Sequence, residues 1–495
     1  MRGAWGWVWA VAAVVGLAVV VNAAPWIAAP PGDSHDGRNA GTWALGARGL
    51  VEDPIGSRLG TDRPDGSAYA NHPPAVVAEA AVALAATRDH PLGLRLPGLA
   101  ASLASLALLV VLLRELGFRP IAAATGIVLA GSSAMFLTYA TMLDTPVLAL
   151  PFALATLLVG TRIQRGQPVR TGLVALLGTG VGLTSWQGTF LVGIVVAVLV
   201  VAAPDRRAVL APCSALAGGA AAGVLLTLTW AWWGYGSLGD LWSALRDRTA
   251  SDVPWLEVQR SFVGDLYGPV LVLVVLAGAV VAVARRRHRL VLGCSLAAVA
   301  GWTRLMGQAA SIHDYWTYLG VAVVALAGAT VAEAVEDAAA ARQPAGGPRS
   351  RLVDAGVVLV VGLIGVASFI RTSDAERAIA GGVDGGRLAA SLPTAAAPGD
   401  EVLTTSDAFM TSGGVWAEWI GHGTAPRVDA SALAALIEDD PQHPVLIVLP
   451  RGRVPSDLLQ DQAVARVGRY YLVPALLLED LVDEPMVLPA SLVAD

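Results

Sequence analysis

Long apolar runs separated by short polar turns fill the chain from its amino terminus to Ile370. A helix that crosses a bilayer needs about 20 largely apolar residues, and these runs have that character. The pattern predicts an α-helical polytopic membrane protein with about eleven transmembrane helices. The predicted spans are residues 5–29, 96–113, 120–139, 145–160, 171–184, 189–203, 208–233, 266–284, 290–306, 315–335 and 352–370.

One shorter apolar run, residues 73–87 (PPAVVAEAAVALAAT), departs from this pattern. It carries Glu79, and Asp89 and His90 leave it no room to extend. We therefore expect a helix that lies at the membrane interface or dips partly into the bilayer. When this run is left out as a span, the arginine-bearing turns all fall on one side of the membrane, as the positive-inside rule requires.

This topology places the basic turns in the cytoplasm and the segments with candidate functional residues on the outer face. The basic turns contain Arg114 and Arg119; Arg162, Arg165 and Arg170; Arg206 and Arg207; residues 285–289 (RRRHR); and Arg342, Arg349 and Arg351. The outer segments are the loop 30–95, the turns at Asp144 and at Trp186 and Gln187, the loop 234–265, residues 311–316 (SIHDYW) and the tail after Arg371. We expect a multi-pass protein of the cell membrane with a cytoplasmic amino terminus.

The composition excludes an ordinary soluble enzyme. Of the 495 residues, 55% are hydrophobic and 15% are charged, and the mean hydropathy is +0.61. The two cysteines, Cys213 and Cys294, lie in apolar runs and offer neither a disulfide framework nor a CxxC metal site. Glycines at 178–182 (GTGVG) and at Gly218 and Gly219 also lie within apolar runs, so we expect them to serve close helix packing rather than phosphate binding. No nucleic-acid partner is expected.

The composition changes after Ile370 to that of a soluble domain, with charges, Pro and Gly interleaved. Two short apolar runs, EVLTT (401–405) and PVLIVLP (444–450), predict buried strands. Between them, DASALAALIEDD (429–440) has a helical period with Asp429 as a candidate cap. The chain thus divides into a membrane domain, 1–370, and a small extracytoplasmic α/β domain, 371–495, which we expect to act as a lid or a docking module.

Four outer-face clusters contain candidate chemistry. The first, at the start of the long outer loop, contains Asp33, His35 and Asp36, and the second, YANHPP (69–74), contains His72. Any single residue of the first cluster could simply mark the polar end of the first span. This explanation does not require three such residues together. A helix-start signal explains the prolines of the second cluster better than its histidine.

The other two clusters lie at the ends of later spans. Asp144, in TMLDTP, precedes a helix that opens with Pro146. A helix cap accounts for Asp144 but does not exclude a ligand role. In SIHDYWTY, an aromatic belt accounts for Trp316 and Tyr318 but not for His313 and Asp314.

The order of these motifs is distinctive. An acidic motif in the first large outer loop, HPP before a short helix, RLP at 95–97 and an aspartate after the third span follow one another. In this combination the chain resembles the integral-membrane glycosyltransferases of the GT-C superfamily, in the branch of the protein O-mannosyltransferases and the aminoarabinose lipid A transferases. It departs from that branch by having His72 where the lipid A enzymes place a lysine, and by lacking a paired Asp-Glu in the first loop.

The resemblance implies transfer of a sugar from a polyprenyl-phosphate donor to a glycan, lipid or protein acceptor, by an inverting displacement with a general base. It implies Asp36 as the base, with Asp33 as the alternate, and His72, Arg95 and Arg38 as ligands of the donor phosphate. It also implies that Asp144 orients the acceptor or helps to hold a divalent ion. The remaining candidate substrate-binding residues are His35, His313, Asp314, Tyr315 and Trp316. A metal held by some of His35, His72, His313 and Asp144 is a further option, and no other cofactor is expected.

Two other classes of protein are compatible with the sequence. A transporter also places ionisable groups near many helices, but here they lie at helix ends and in a loop rather than at mid-bilayer, and no inverted repeat is present. A non-catalytic envelope scaffold would work through its tail. A scaffold would lose its function without the residues after Ile370 and would tolerate Asp36→Asn, whereas an enzyme would show the reverse.

Overall fold

The computed structural model describes the membrane part of the chain almost continuously. The described residues are 2–28, 35–62, 68–88, 90–203, 205–249 and 253–341, most of a helical stretch between 356 and 372, and four short strands beyond residue 400. The predicted helix at 429–440 and the basic residues Arg342, Arg349 and Arg351 lie outside the described residues.

The described membrane part is built from helices. The first nine are α1 (Arg2–Ala23), α2 (His35–Glu52), α3 (Ala75–Thr87), α4 (Leu96–Glu115), α5 (Pro120–Gly131), α6 (Ala134–Tyr139), α7 (Thr145–Gln164), α8 (Thr171–Thr184) and α9 (Trp186–Ala202). The next seven are α10 (Arg206–Tyr235), α11 (Gly239–Arg248), α12 (Trp255–Leu266), α13 (Gly268–Ala284), α14 (Arg289–Leu305), α15 (Gly307–Ile312) and α16 (Gly320–Ala341). Each predicted span up to residue 335 coincides with one of these helices or with a consecutive pair, and Val361–Ile370, within the last predicted span, is helical.

Helix length limits how many of these elements span a membrane on their own. Among the described residues, α1, α4, α7 and α10 are long and apolar enough to cross, and α12 with α13, bent by 107°, would make a fifth crossing. The helices α3, α5, α8 and α9 are apolar but shorter. The number of eleven crossings therefore stays a prediction.

The ends of α1 and α4 show that α3 adds no net crossing between them. The guanidinium of Arg114, near the end of α4, lies 5.9 Å from the ring centroid of Trp5, at the start of α1. At the other end, the Arg95 guanidinium lies 5.0 Å from the ring of Trp26. Because α1 and α4 therefore run in opposite directions, the chain between them begins and ends on the same side of the bundle, as predicted.

The predicted cytoplasmic turns meet at one end of the bundle through ion pairs. Arg119 pairs with Glu336 at 3.3 Å, and Arg287 pairs with Glu333 at 3.1 Å. Arg162, near the end of α7, pairs with Glu115 at the end of α4. Since Asp144 precedes the other end of α7, about 30 Å away for a helix of this length, the basic turns and the site residues are at opposite ends.

Three expectations about individual elements need correction. The predicted span 120–139 is broken into α5 and α6, because the Ser133 hydroxyl accepts the Phe136 N–H and caps a new helix. The predicted span 315–335 begins with a 3₁₀ turn, Asp314–Thr317, and only then becomes α16. The loops 30–95 and 234–265, predicted to lie on the outer face, are more helical than expected, since they contain α2, α11 and α12.

The predicted packing role of the glycines in α8 and α10 is confirmed for Gly182 and Gly219 and is wrong for Gly218, where nothing lies within 4 Å of an added Cβ. A Cβ at Gly219 would overlap the Ala175 backbone, and one at Gly182 would lie 2.6 Å from the Ala220 carbonyl oxygen. The two helix backbones are therefore in direct contact, as small residues permit in membrane proteins. No phosphate-binding loop is formed by these glycines, because both segments are helical.

Gly219→Ala should loosen this contact and lower the free energy of unfolding by about 1–3 kcal/mol, because the new methyl group must push the backbones apart. The neighbouring Gly218 is a matched control, since nothing lies within 4 Å of a Cβ built there. Gly218→Ala should leave the melting temperature unchanged or raise it, because alanine favours a helix over glycine. Equal melting temperatures of the two variants in detergent would contradict this packing.

The four strands beyond residue 400 form one mixed sheet. They are β1 (Glu401–Thr404), β2 (Val445–Pro450), β3 (Ala465–Val467) and β4 (Tyr470–Pro474), in the order β1-β2-β4-β3. β1 pairs with β2 in parallel, whereas β4 is antiparallel to β2 and β3. Both predicted strands are thus present, while their burial and the extent of an α/β domain lie outside the described residues.

Candidate functional site

Asp144 is the centre of a buried polar network. It caps α7, and its Oδ1 accepts the Thr145 N–H at 2.6 Å. Its Oδ2 accepts from Asn39 Nδ2 at 2.8 Å. The side chain is only 3% exposed, so the predicted helix cap is also a connection between α7 and α2.

Two residues of the SIHDYW segment extend this network. Asn39 Nδ2 also donates to the Tyr315 hydroxyl at 3.1 Å, and that hydroxyl lies 3.1 Å from His313 Nδ1. Residues that are 276 positions apart in the chain therefore share hydrogen bonds. The predicted convergence of Asp144, His313 and Tyr315 is observed, and Asn39 is a member that sequence reasoning missed.

The pKa values of Asp144 and His72 are both shifted by burial, in opposite directions. Burial raises the pKa of Asp144 to about 6, although the hydrogen bonds from Thr145 and Tyr315 and the charge of Arg248 act in the opposite direction. Burial lowers the pKa of His72 to about 3, and electrostatic interactions with Arg248 and His313 act in the same direction. At neutral pH, Asp144 is therefore mostly ionised and His72 is a neutral imidazole.

His72 is held by aromatic neighbours. Its ring centroid lies 5.6 Å from that of Trp43, on α2, and 6.0 Å from that of Tyr69. Trp43 and Tyr69 are themselves in edge-to-face contact. The prolines that follow His72 begin α3 at Ala75, so the imidazole lies immediately before the start of this helix.

An apolar cavity opens beside His72, between α9, α10, α11 and α14. Its volume is about 660 Å³, within the range of small-molecule sites. Aromatic and aliphatic side chains dominate its wall, among them Trp186, Phe190, Leu241, Trp242, Leu245, Trp302 and Trp316. Trp242 is 57% exposed, which is typical of an indole at the membrane interface.

Arg248 gives this cavity a positive charge that sequence reasoning missed. It is the last residue of α11 and lines the cavity together with His72. The carboxyl end of a helix stabilises a cation, and among the residues that the structure describes Arg248 forms no salt bridge. An otherwise apolar cavity with one unpaired guanidinium is suited to a ligand with a long apolar part and an anionic end.

Gln187 supplies a buried acceptor in the same wall. Its Nε2 donates to the Trp316 carbonyl at 3.1 Å, and the residue is 3% exposed. Within the described ranges its Oε1 has no hydrogen-bond partner. Since a buried carbonyl without a partner is costly, this atom fits a ligand hydroxyl or N–H in the cavity.

The other predicted site residues are placed as follows. Arg95 is 2% exposed and stacks on Trp26 rather than lining the cavity. Both Asp314 carboxylate oxygens accept from the Tyr139 hydroxyl at 2.8 Å. Trp316 stacks on His313 and lines the cavity.

The first acidic cluster is only partly described. His35, Asp36 and Arg38 belong to α2, but their side chains lie outside the description, as does Asp33 altogether. Asp36 is one helical turn before Asn39, so α2 starts at the Asp144 network. Among the described residues no group of three or more His, Cys, Asp or Glu side chains is arranged to hold a metal ion.

Comparisons with known proteins agree with this architecture. Residues 71–233 match the family model of the dolichyl-phosphate-mannose-protein mannosyltransferases, PMT_2. The match begins at the residue before His72 and runs through Asp144 and Gln187 to the end of α10. A comparison with curated proteins finds no match.

Solved structures share the fold. The fold is similar to that of ArnT from Cupriavidus metallidurans bound to undecaprenyl phosphate, with a TM-score of 0.60 and 16% identity over 95% of this chain and 98% of that one. It is also similar to the archaeal oligosaccharyltransferase AglB from Archaeoglobus fulgidus, with a TM-score of 0.56 and 15% identity over 85% of this chain and 64% of that one. The chain is thus a multi-pass integral membrane protein with the fold of ArnT, and its resemblance to the PMT_2 family of GT-C glycosyltransferases is confirmed.

Proposed function

We propose that this protein transfers a sugar from a polyprenyl-phosphate donor to an acceptor of the cell envelope, on the outer face of the membrane. The observation that carries the proposal is the 660 Å³ apolar cavity with Arg248 at its edge. A polyprenyl chain would occupy the apolar part, and its phosphate would lie between Arg248 and His72. The same fold in ArnT bound to undecaprenyl phosphate supports this ligand class.

The sugar would extend from the phosphate toward the polar wall of the cavity. Gln187 Oε1, buried and without a described partner, would accept a hydrogen bond from a sugar hydroxyl. His72, neutral before binding, would donate a hydrogen bond from its ring N–H to a phosphate oxygen, and an anion nearby would raise its pKa toward the normal range. Arg248 would then stabilise the charge that develops on the leaving phosphate.

The acceptor hydroxyl would lose its proton to a carboxylate as it attacks the anomeric carbon, with inversion. We keep Asp36 as this base and Asp33 as the alternate, because Asp36 lies on α2 one turn before Asn39. Asp144 would act as a positioning residue that holds Asn39, and through it the start of α2. We assign no step to a metal ion.

The transfer rate should increase as the pH rises through about 6. Burial raises the Asp144 pKa to about 6, so its ionised form, which accepts from Asn39 and Thr145, is lost below that pH. At one pH unit below this pKa the rate should fall to roughly one tenth of its plateau. Rates measured between pH 5 and 8 check this, and Asp144→Asn should give a low rate without the step near pH 6. If the same step persists in the variant, Asp144 is not its cause.

The direct test of the function is a transfer assay. Purified protein in nanodiscs would be supplied with radiolabelled undecaprenyl-phosphate mannose, arabinose or glucose and with a cell-envelope fraction. We expect label from at least one donor to move to envelope material, and Arg248→Gln to abolish most of the transfer. Absence of transfer from all donors, with binding of undecaprenyl phosphate also absent, would exclude the function.

The remaining parts of the proposal concern topology. We propose that the end with the Arg119 and Arg287 ion pairs faces the cytoplasm, since positive charge is retained on that side. Residues 1–370 would then be the catalytic membrane domain, and residues 371–495 an extracytoplasmic domain. Labelling of single cysteines introduced at exposed positions, such as Arg286 and Asp265, would show opposite accessibility if this orientation is correct.

A further inference from the structure

A polar groove lies on the opposite side of α11 from the apolar cavity. Its volume is about 410 Å³, which is within the range of small-ligand sites. Among the described residues, its polar lining consists of Arg58, Asn71, Tyr235, Asp240, Ser243 and Asp247. The other described lining residues are small, so no large aliphatic side chain of the described part faces the groove.

The groove and the cavity meet at two pairs of consecutive residues. Asn71 lines both, and its neighbour His72 lines the cavity. Asp247 lines the groove, and its neighbour Arg248 lines the cavity. Since consecutive Cα atoms are 3.8 Å apart, the walls of the groove and the cavity approach each other at Asn71 and His72 and at Asp247 and Arg248.

We propose that this groove binds the acceptor and that the acceptor is a glycan, recognised through its hydroxyl groups. The inference rests on the proposed function, because the adjacent phosphate position is part of that function. An acceptor in the groove would have a hydroxyl next to the donor's anomeric carbon, on the side of α11 away from the lipid.

The hydrogen-bonding groups of the groove match a polyhydroxylated ligand. Asp240 and Asp247 are seven residues apart on α11, so both carboxylates lie on one face, two turns apart. The Tyr235 hydroxyl donates to Asn71 Oδ1 at 2.8 Å, which orients the carboxamide. Among the described residues no partner of Asn71 Nδ2 is found, so this group can donate to a ligand oxygen.

The charge of the groove disfavours an anionic lipid headgroup. Its one described guanidinium, that of Arg58, lies 3.5 Å from Asp62 and donates to the Gly234 carbonyl at 2.8 Å. Within the described part of the chain no cation pairs with Asp240 or Asp247, and their charges repel phosphate. The lining residues that the structure describes include no large apolar side chain, so they offer little of the burial that an acyl chain or an apolar peptide side chain would gain.

The test measures binding of defined probes to the full-length protein in nanodiscs. The probes are methyl glycosides and disaccharides of mannose, arabinose, glucose and galactose, a Ser/Thr-containing peptide, and phosphatidylethanolamine vesicles. Saturation-transfer NMR reports glycan and peptide binding, and co-flotation reports vesicle binding. Native mass spectrometry of undecaprenyl phosphate reports the donor site separately.

We expect at least one glycan probe to bind, and Ser243→Trp to weaken its binding by about tenfold or more by filling the groove. Asp240→Asn should weaken glycan binding by a smaller factor, because the side chain keeps its volume and loses only its charge. Arg246→Trp is the matched control, because Arg246 is an exposed residue of the same helix and is not among the described residues that line either cavity. This control and Ser243→Trp should both retain undecaprenyl phosphate.

Three results would overturn the inference while leaving the proposed function intact. They are binding of undecaprenyl phosphate without binding of any glycan, glycan binding that Ser243→Trp does not change, and a peptide or vesicle interaction that this substitution abolishes instead. Failure of the unsubstituted protein to bind undecaprenyl phosphate would overturn the proposed function, and the acceptor assignment with it.

Discussion

Arg248→Gln should weaken the binding of undecaprenyl phosphate by about 10- to 100-fold, because a charge-assisted hydrogen bond to phosphate contributes about 1.5–3 kcal/mol. Arg248 is the cation that lines the apolar cavity beside His72. Glutamine keeps most of the side-chain length and a donor but removes the charge. Since Arg248 forms no salt bridge within the described part of the chain, its loss should break no described ion pair, although it should raise the pKa of Asp144 further.

Arg246→Gln is the control for this prediction. Arg246 is on the same helix, has the same side chain and is exposed. It changes the net charge by the same amount, so a long-range electrostatic effect would appear in both variants and a direct phosphate contact only in Arg248→Gln. Titration of undecaprenyl phosphate by native mass spectrometry or by quenching of the cavity tryptophans measures the difference, and equal affinities of the two variants would remove Arg248 from the site.

Asp36→Asn should reduce the turnover number by about 10²- to 10⁴-fold, which is the usual contribution of a general base. The carboxamide cannot take the acceptor proton at neutral pH, and it has nearly the volume of the carboxylate. Binding of undecaprenyl phosphate should be unchanged, because the substitution leaves Arg248 and His72 in place. Steady-state rates with a fixed donor and parallel binding measurements separate the two effects.

Asp33→Asn is the comparison that decides between the two carboxylates of the first cluster. If Asp36 is the base, Asp33→Asn should retain most of the activity. A large loss in Asp33→Asn, with an active Asp36→Asn, would transfer the role to Asp33. Full activity of both variants would show that the base lies elsewhere, and Asp144→Asn would then be the next substitution to measure.

Hydrophobic periodicity was sufficient to predict the helical bundle. Apolar runs of span length coincide with α1, α4, α7 and α10, and the arginine pattern correctly separated the short helix α3 from the crossings. The break between α5 and α6 has a visible cause in Gly131, Ser132 and Ser133, but a run of apolar residues on both sides conceals it. Hydropathy averages over such a break, whereas a serine cap acts on a single turn.

Candidate site residues were predicted where a polar side chain occurs at the end of an apolar helix. They were missed where only the tertiary fold brings the side chain to the site. Asp144 and His313 were identified because a polar residue at the outer end of an apolar helix is unusual. Arg248 and Asn39 occur in segments whose polar sequences are typical of surface loops. Their relation to the site follows from the folding of α11 and α2 over the bundle, which no local pattern specifies.

Identification of the lipid that the protein retains would show what the cavity binds. We propose that the cavity beside Arg248 and His72 holds a polyprenyl chain with a phosphate at its polar end. The protein, purified in mild detergent, would be analysed by native mass spectrometry followed by fragmentation of the released lipid. We expect a polyprenyl phosphate, or its sugar conjugate, bound to the unsubstituted protein and to Arg246→Gln and largely lost from Arg248→Gln. Bulk phospholipids alone, in equal amounts in all three proteins, would contradict it.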